Sequence, residues 1–100
     1  MIVSNEPGYY KEGAYGIRLE NLLLVTPATA IAGGEREMLG FETLTLAPFD
    51  RCSIEAGMLE ARERAWLDAY HARVLAVIGP MLKGADRKWL ETATRPLGPE

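Results

Sequence analysis

The strongest strand signal in the chain is GIRLENLLLV, residues 16–25, which is mostly apolar and which Pro27 is expected to end. Side chains alternate between the two faces of a strand, so Arg18, Glu20 and Leu22 share one face. A charged pair within an apolar strand is costly to bury unless an ion or an opposite charge neutralises it. Residues 16–25 therefore predict a strand that carries a charged site.

The segment EPGYY, residues 6–10, lies before this strand. Pro7 has no backbone donor and keeps Glu6 extended, so residues 1–6 are predicted to form a strand. Residues 9–15 are predicted to form a short loop around Gly13.

The two predicted strands bring Glu6 and Glu20 together if they pair antiparallel across the loop. Carboxylates are hard oxygen ligands that suit Mn²⁺, Mg²⁺ or another divalent ion. The alternative is an Arg18–Glu20 surface pair on an edge strand, with Glu6 in solvent. The spacing of these residues alone does not decide between a shared metal ion and the surface pair.

The remaining chain predicts one more strand and then two helices. Residues 39–46 form the third strand, and residues 26–37 form an exposed turn region. Residues 58–82 have the helical period, and Gly79-Pro80 should kink or end this helix. A second short helix should begin with Asp86 as its cap and end before Pro96. The fold class is thus α+β, with about three antiparallel strands followed by two helices.

The first predicted helix has an apolar stripe and a charged face. The stripe is Leu59, Trp66, Leu67, Tyr70, Val74, Val77, Ile78 and Met81. The charged set, expected in solvent, is Glu60, Arg62, Glu63, Arg64, Asp68 and Arg73. The only histidine, His71, is expected to be a packed or surface residue.

Composition excludes several classes of protein. The chain has 100 residues and a net charge of −3, with seven acidic and three basic residues in its first half. It lacks the basic stripe of a nucleic-acid-binding protein and any apolar run near the ~20 residues of a membrane span. Its N-terminus lacks a secretion-signal pattern. The single cysteine, Cys52, is expected to be a semi-buried structural residue, and it favours a cytoplasmic location.

The segments EPG (residues 6–8) and GIRLE (residues 16–20) resemble the last part of the pita-bread metallopeptidase catalytic domain. That fold is shared by methionine aminopeptidases, prolidases, creatinases and Xaa-Pro aminopeptidases. The resemblance implies that Glu6 binds one of two metal ions and that Glu20 bridges both. It further implies that Arg18 supports the site from behind and that Tyr9 stands beside the first glutamate.

Two later segments resemble the C-terminal extension of the long, three-domain Xaa-Pro aminopeptidases: FETLTLAP, residues 41–48, and WLDAYH, residues 66–71. Residues 1–50 would then be the end of the catalytic domain, and residues 51–100 the helical extension. The resemblance implies Mn²⁺ as the metal, peptides with proline at the second position as substrates, and a homodimer formed through the extension. The alternative to a dimer interface is that the apolar stripe of the first helix packs on the chain's own strands. Glu42 is expected to be structural.

The family's full ligand set also contains two aspartates and a histidine, which lie upstream of the EPG segment. The chain alone is therefore expected to be inactive as a peptidase, because two of five ligands do not hold two divalent ions tightly. The alternatives are a non-catalytic protein-binding module with this fold and a fragment of a prolidase-type dipeptidase.

Overall fold

A computed structural model of the protein describes residues 1–30 and 37–98. The chain divides into two compact units, Met1–Thr45 and Leu46–Glu100, called here the strand unit and the helical unit. Antiparallel strands followed by two helices are the predicted α+β architecture, which is confirmed.

The described part of the strand unit contains five strands: β1 (Ile2–Asn5), β2 (Gly8–Lys11), β3 (Tyr15–Arg18), β4 (Asn21–Ala30) and β5 (Glu37–Thr43). One antiparallel sheet has the order β1-β4-β5, and β2 and β3 form a separate antiparallel ribbon. The predicted strand at residues 16–25 is therefore divided between β3 and β4, and the predicted loop at residues 9–15 contains most of β2.

The β2–β3 ribbon turns tightly at Gly13. The backbone of Gly13 has a φ of 73°, and the Ala14 amide donates to the Lys11 carbonyl at 3.0 Å. Glycine occupies this left-handed conformation at no steric cost. The turn sets the register of the ribbon, in which Lys11 lies opposite Tyr15.

Pro27 does not end β4, contrary to the expectation from sequence. The register of β4 against β5 shifts between Thr26 and Thr29, which is a bulge with one extra residue on β4. A proline is tolerated there because the ladder needs no regular donor at a bulge. The strand then continues to Ala30, so the predicted turn region at residues 26–37 belongs to strands at both ends. Its residues 31–36 lie outside the described part of the chain.

The helical unit contains α1 (Ala61–Ile78), a single 3₁₀ turn (Gly79–Met81) and α2 (Gly84–Ala93), preceded by two short 3₁₀ turns at Arg51–Ser53 and Ala56–Met58. The predicted end of the first helix at Gly79-Pro80 is confirmed. Its start is later than predicted, because the Glu60 amide donates to the Glu63 side chain at 2.8 Å and caps the helix there. Asp86 lies in the first turn of α2 rather than at its cap, which is Lys83.

The core of the helical unit consists of Leu67, Tyr70, Val74 and Leu90, which are all buried. Leu46, Phe49, Leu75, Ile78 and Leu82 pack against this core. Three members of the predicted stripe, Trp66, Val77 and Met81, are exposed instead. The buried face of α1 is thus rotated relative to the predicted one.

Polar contacts attach the segment before the helices to α1. The Tyr70 hydroxyl donates to the Ala47 carbonyl at 3.1 Å and accepts from the Ala47 amide at 3.3 Å. The Phe49 amide donates to His71 Nε2 at 3.1 Å. These bonds give partners to backbone groups of a partly buried segment.

The C-terminal segment is tied down in the same way. Asp68 accepts from the amides of Leu97 (2.7 Å) and Gly98 (3.2 Å), and the Arg51 guanidinium donates to the Arg95 carbonyl. Asp68 was expected to be solvated, but it is half-buried and structural. Arg64, from the same predicted charged face, is buried and donates to the Ala56 carbonyl.

Candidate metal centre

Glu6 and Glu20 face each other across one antiparallel hairpin. Asn5 pairs with Asn21 in β1–β4, and Gly8 pairs with Arg18 in β2–β3, so both ladders follow one unshifted register. That register places Glu6 opposite Glu20. The antiparallel pairing on which the convergence of the two glutamates depended is therefore present.

The ladder is interrupted at this same point. The Leu19 amide donates to the Pro7 carbonyl at 3.0 Å, but Pro7 has no amide to return the bond. Strand pairing stops on one side at Asn5 and Asn21 and resumes at Gly8 and Arg18. The two glutamates thus occupy a gap between two rigid ladders, which holds their backbones in place.

Two like charges directly opposite each other on a pair of strands are destabilising. A divalent cation between Glu6 and Glu20 would turn this repulsion into shared coordination, since both groups are hard oxygen ligands. The pair therefore fits a metal ion chemically. The residues described, 1–30 and 37–98, contain no group of three or more His, Cys, Asp or Glu that could hold a metal ion. Any further ligands must come from elsewhere.

Arg18 lies beside the second glutamate. Its guanidinium is 3.3 Å from the Glu20 carboxylate, and both side chains are about half exposed. An exposed ion pair of this kind contributes little to stability because water screens it. The contact places a positive charge beside the Glu20 carboxylate.

The tyrosines at positions 9 and 10 lie on opposite faces of the ribbon. Tyr10 pairs with Gly16, on the face that carries Arg18, whereas Tyr9 pairs with Ile17 on the other face. The Tyr9 ring contacts Tyr15, with ring centroids 6.0 Å apart. Strand alternation places the glutamates on the face of Arg18 and Tyr10. The role predicted for Tyr9 stays a prediction, and sequence reasoning missed Tyr10.

Tyr10 lies flat over two glycines. A Cβ atom on Gly16 would come within 2.6 Å of a Tyr10 ring carbon, and one on Gly8 within 2.8 Å of the Tyr10 hydroxyl and 2.9 Å of the Ile17 carbonyl oxygen. The glycine of the EPG segment therefore leaves room for the Tyr10 side chain. The sequence holds both residues of this contact, Tyr10 and Gly16. Their pairing can be recognised only once the register of the hairpin is known.

Three further residues with polar or reactive side chains are Glu42, Asp50 and Cys52. Glu42 lies on β5 opposite Leu24. Asp50 accepts from the Cys52 amide and the Ser53 hydroxyl, which makes it a turn cap. Cys52 is exposed rather than semi-buried.

His71 is packed, as one of the two expectations had it. It is fully buried in the helical unit, and its Nδ1 has no hydrogen-bond partner among the described residues. Burial lowers the pKa of His71, and the nearby Arg51 guanidinium lowers it further, whereas Asp68 acts in the opposite direction.

The strands and the two helices are those of a class of protein: the C-terminal part of a metallopeptidase. Residues 37–97 match the family model described as the C-terminal region of peptidase_M24. The chain belongs to this family. The predicted relationship to the C-terminal part of the Xaa-Pro aminopeptidases is confirmed by the relatives below.

Two curated relatives are plant enzymes. The chain is 42% identical to Aminopeptidase P1 of Lotus japonicus over 98% of its own length and 15% of that protein. It is 46% identical to Aminopeptidase P2 of Arabidopsis thaliana over 97% of its own length and 14% of that protein. The chain therefore spans about a seventh of the length of these relatives.

A solved structure shares the fold. It is an X-prolyl aminopeptidase from Caenorhabditis elegans, described as a cytosolic enzyme with a di-nuclear active site. The TM-score is 0.81 at 33% identity, covering 96% of this chain and 16% of that one. Within residues 1–30 and 37–98, no helix combines the length and apolarity needed to cross a bilayer.

Proposed function

We propose that this chain supplies the C-terminal part of a dinuclear-metal aminopeptidase that releases the N-terminal residue before proline. The observation that carries the proposal is the register that sets Glu6 opposite Glu20 at the interruption of the hairpin. The names of the relatives and of the solved structure support the substrate class, peptides with proline at the second position.

Glu6 would bind one metal ion, and Glu20 would bridge two. Arg18 would hold the Glu20 carboxylate in position through the contact at 3.3 Å. The bound ions would supply an acidified water and a Lewis acid for the scissile carbonyl. Manganese is the proposed metal, since a carboxylate-rich site suits a hard divalent ion.

Tyr9 was predicted to stand beside the first glutamate, but Tyr10 is the tyrosine on the face of Arg18. Phenylalanine at each position separates the two candidates. Replacing the tyrosine whose hydroxyl contacts the site should lower the affinity of the protein for metal. Replacing the other tyrosine should not.

The chain alone is proposed to be inactive, because two carboxylates leave most coordination positions of two ions unfilled. The test is to titrate Mn²⁺ into the purified chain and assay an Xaa-Pro peptide. Turnover at a rate comparable to that of a complete aminopeptidase would refute this part of the proposal.

The ligand roles are tested in a chimera in which this chain replaces the matching C-terminal region of the C. elegans enzyme. Glu20→Gln should lower Xaa-Pro hydrolysis by more than about 100-fold, beyond the 10- to 100-fold typical of groups that only support a ligand. Bound metal, measured by mass spectrometry, should fall as well. Glu42→Gln is the matched control and should change neither. A chimera that folds but binds no metal would contradict the proposal.

The second candidate function is a non-catalytic protein-binding module, which the exposed apolar residues of the strand unit favour. Stable capture of one partner, together with a folded chimera that takes up no metal, would support it. A prolidase-type fragment is the alternative within the enzyme class. Dipeptide-only hydrolysis by the chimera would favour it.

Homodimerisation through the helical unit and a cytoplasmic location belong to the proposal too. Trp66 stacks on Tyr70 with ring centroids 5.4 Å apart, yet its other side is exposed. Light scattering with size exclusion tests the dimer, and a monomer at high concentration would remove it. The exposed Cys52 and the description of the C. elegans enzyme support a reducing, cytosolic compartment. No nucleic acid or membrane partner is proposed.

A further inference from the structure

Thr45 is the last residue of the strand unit, and its side chain acts as a partner for β4. β5 ends at Thr43, which pairs with Leu23 of β4. Beyond that pair, the Leu44 amide donates to the Leu22 carbonyl at 2.7 Å. The Leu22 amide donates to the Thr45 hydroxyl oxygen, also at 2.7 Å. A side chain therefore continues the bonding between the two segments past the end of β5.

The bond to Thr45 holds β4 close to Glu20. Glu20 lies between β3 and β4 and belongs to neither strand. Before it, the Leu19 amide donates to the Pro7 carbonyl at 3.0 Å. After it, the bond from Leu22 to Thr45 fixes the backbone two residues away. Strand alternation places Leu22 and Glu20 on the same face, so a rotation of the backbone at Leu22 would redirect the Glu20 carboxylate.

The two edges of β4 are held near Glu20 by different kinds of group. On the β1 edge, Asn21 pairs with Asn5 in the backbone ladder. On the β5 edge, the acceptor for the Leu22 amide is the Thr45 side chain. Backbone partners survive most substitutions, because every residue except proline carries both an amide and a carbonyl. A side-chain acceptor is lost in a single substitution, so Thr45 is a point at which one change frees an edge of β4.

Thr45 also belongs to a different part of the chain from the glutamates. It lies within residues 37–97, which match the C-terminal region of the family, whereas Glu6 and Glu20 precede that region. The matched region thus supplies neither glutamate of the candidate metal centre. Through Thr45 it still bonds to the strand that follows Glu20.

We propose that Thr45 is a positioning residue for the metal centre. Its hydroxyl fixes the backbone of β4 beside Glu20 and thereby sets the direction of the Glu20 carboxylate towards Glu6 and a shared ion. The part played by the metal rests on the proposed function, whereas the bond at Leu22 rests on the structure alone. Groups that support a ligand are typically worth about 10- to 100-fold in metal affinity. Thr45 acts through the backbone rather than on the carboxylate itself, so an effect at the lower end is expected.

The first measurement tests the bond in the isolated full chain by amide exchange. Thr45→Val keeps the shape of the side chain but removes the hydroxyl, and it should speed exchange of the Leu22 amide about fivefold. Thr45→Ser keeps the hydroxyl and should restore most of the protection. Thr26→Val is the matched control on the same strand, where the hydroxyl lies against Gly40. It should leave the exchange of Leu22 unchanged.

The second measurement tests the positioning role in the chimera with the C. elegans enzyme. Thr45→Val should raise the Kd for Mn²⁺ about tenfold, and Thr45→Ser should recover most of the affinity. Thr26→Val should bind Mn²⁺ as the unaltered chimera does. A purely structural role would lower the folded fraction but would not change the Mn²⁺ affinity of the folded protein.

Four outcomes would overturn the inference. They are an unprotected Leu22 amide in the unaltered chain, exchange of Leu22 that Thr45→Val does not change, a Thr45→Val chimera that does not fold, and one that folds with unaltered Mn²⁺ affinity. Glu20→Gln, measured in parallel, separates this inference from the proposed function. Unchanged Mn²⁺ affinity in Glu20→Gln would remove the proposed function, whereas loss of binding there with no effect of Thr45→Val would remove only the role of Thr45.

Discussion

The strand unit and the helical unit are stabilised in different ways. The helical unit buries Leu67, Tyr70, Val74 and Leu90 among its own helices and ties both its leading and trailing segments to α1. The described part of the strand unit has hydrogen-bonded ladders between its strands, with one interruption and one bulge, but leaves most of its large apolar side chains in solvent. Hydrogen bonds define its geometry, whereas apolar burial, the dominant favourable term in folding, is mostly absent.

In this chain, the strand pairing that positions the glutamates and the apolar burial that stabilises a fold lie in different units. The unit that carries Glu6 and Glu20 pairs its strands without an apolar core among its described residues, and the unit that has a core carries neither glutamate. A metal centre assembled from such a unit depends on whatever covers the sheet. The helical unit, in contrast, has its own core, so its free energy of unfolding should be measurable in the isolated chain.

The largest expected effect is in the helical core. Leu90→Ala removes a buried side chain and should lower the free energy of unfolding of the helical unit by about 2–5 kcal/mol. Trp66 and Trp89 are the only tryptophans and both lie in this unit, so urea unfolding followed by tryptophan fluorescence measures it. The matched change Leu22→Ala, at a half-exposed position, should lower the stability of β4 to amide exchange by less than about 1 kcal/mol. Equal effects would mean that the strand unit has a comparable core.

A smaller effect is expected where the strand unit is tightly packed. Gly16→Ala places a Cβ atom against the Tyr10 ring, at 2.6 Å in the unrelaxed geometry, and should cost about 1–3 kcal/mol in the β2–β3 ribbon. Amide exchange of Tyr10 and Ile17 measures this cost. Combining Gly16→Ala with Tyr10→Ala should restore most of the protection. Failure of the second change to rescue the first would show that the strain lies in the backbone.

The pH dependence of the helical unit should follow His71. Because burial lowers its pKa in the folded chain, the unfolded chain binds more protons once the pH falls below about 6.5. Stability is therefore full above that value and declines as the pH falls towards the lowered pKa. Protonation would also remove the acceptor for the Phe49 amide.

Urea titrations between pH 7.5 and 5 should show this decline in the tryptophan signal. His71→Gln keeps an acceptor for the Phe49 amide and should flatten the profile over the same range. Stability of the unaltered chain that rises on acidification would be the opposite of the expected sign.

The smallest effect on stability is expected at Arg18. The pair with Glu20 is half exposed, so Arg18→Gln should change the stability of the isolated chain by less than about 1 kcal/mol. The same change should weaken metal binding in the chimera, because the guanidinium orients the Glu20 carboxylate. A large loss of stability with unchanged metal binding would make Arg18 structural.

The sequence predicted correctly those features that depend on neighbouring residues within one helix or strand. Gly79-Pro80 ends α1, as the sequence indicates. The apolar run after Glu20 is a strand as expected, although its bounds differ from the predicted ones. Alternation also placed Arg18 and Glu20 together, which their contact bears out. The facing positions of Glu6 and Glu20 followed once antiparallel pairing was assumed.

The missed features depend on pairing partners that are distant in sequence. Most of β2 was predicted to be a loop. Its glycine and tyrosines fit a strand only when they are paired with β3. Pro27 looked like a strand end because a bulge is visible only against β5. The outward position of Trp66 and the burial of Arg64 depend on which side of α1 meets the rest of the helical unit, and periodicity alone does not fix that rotation.

The contacts of Asp68 have a practical consequence for where this domain can be cut. Its two oxygens take up the amides of Leu97 and Gly98, well after α2 has ended at Ala93. A chain stopped at the end of the last helix would leave a half-buried carboxylate without either donor. The minimal C-terminal boundary of the domain is therefore Gly98, and a tag or fused reporter belongs beyond that residue.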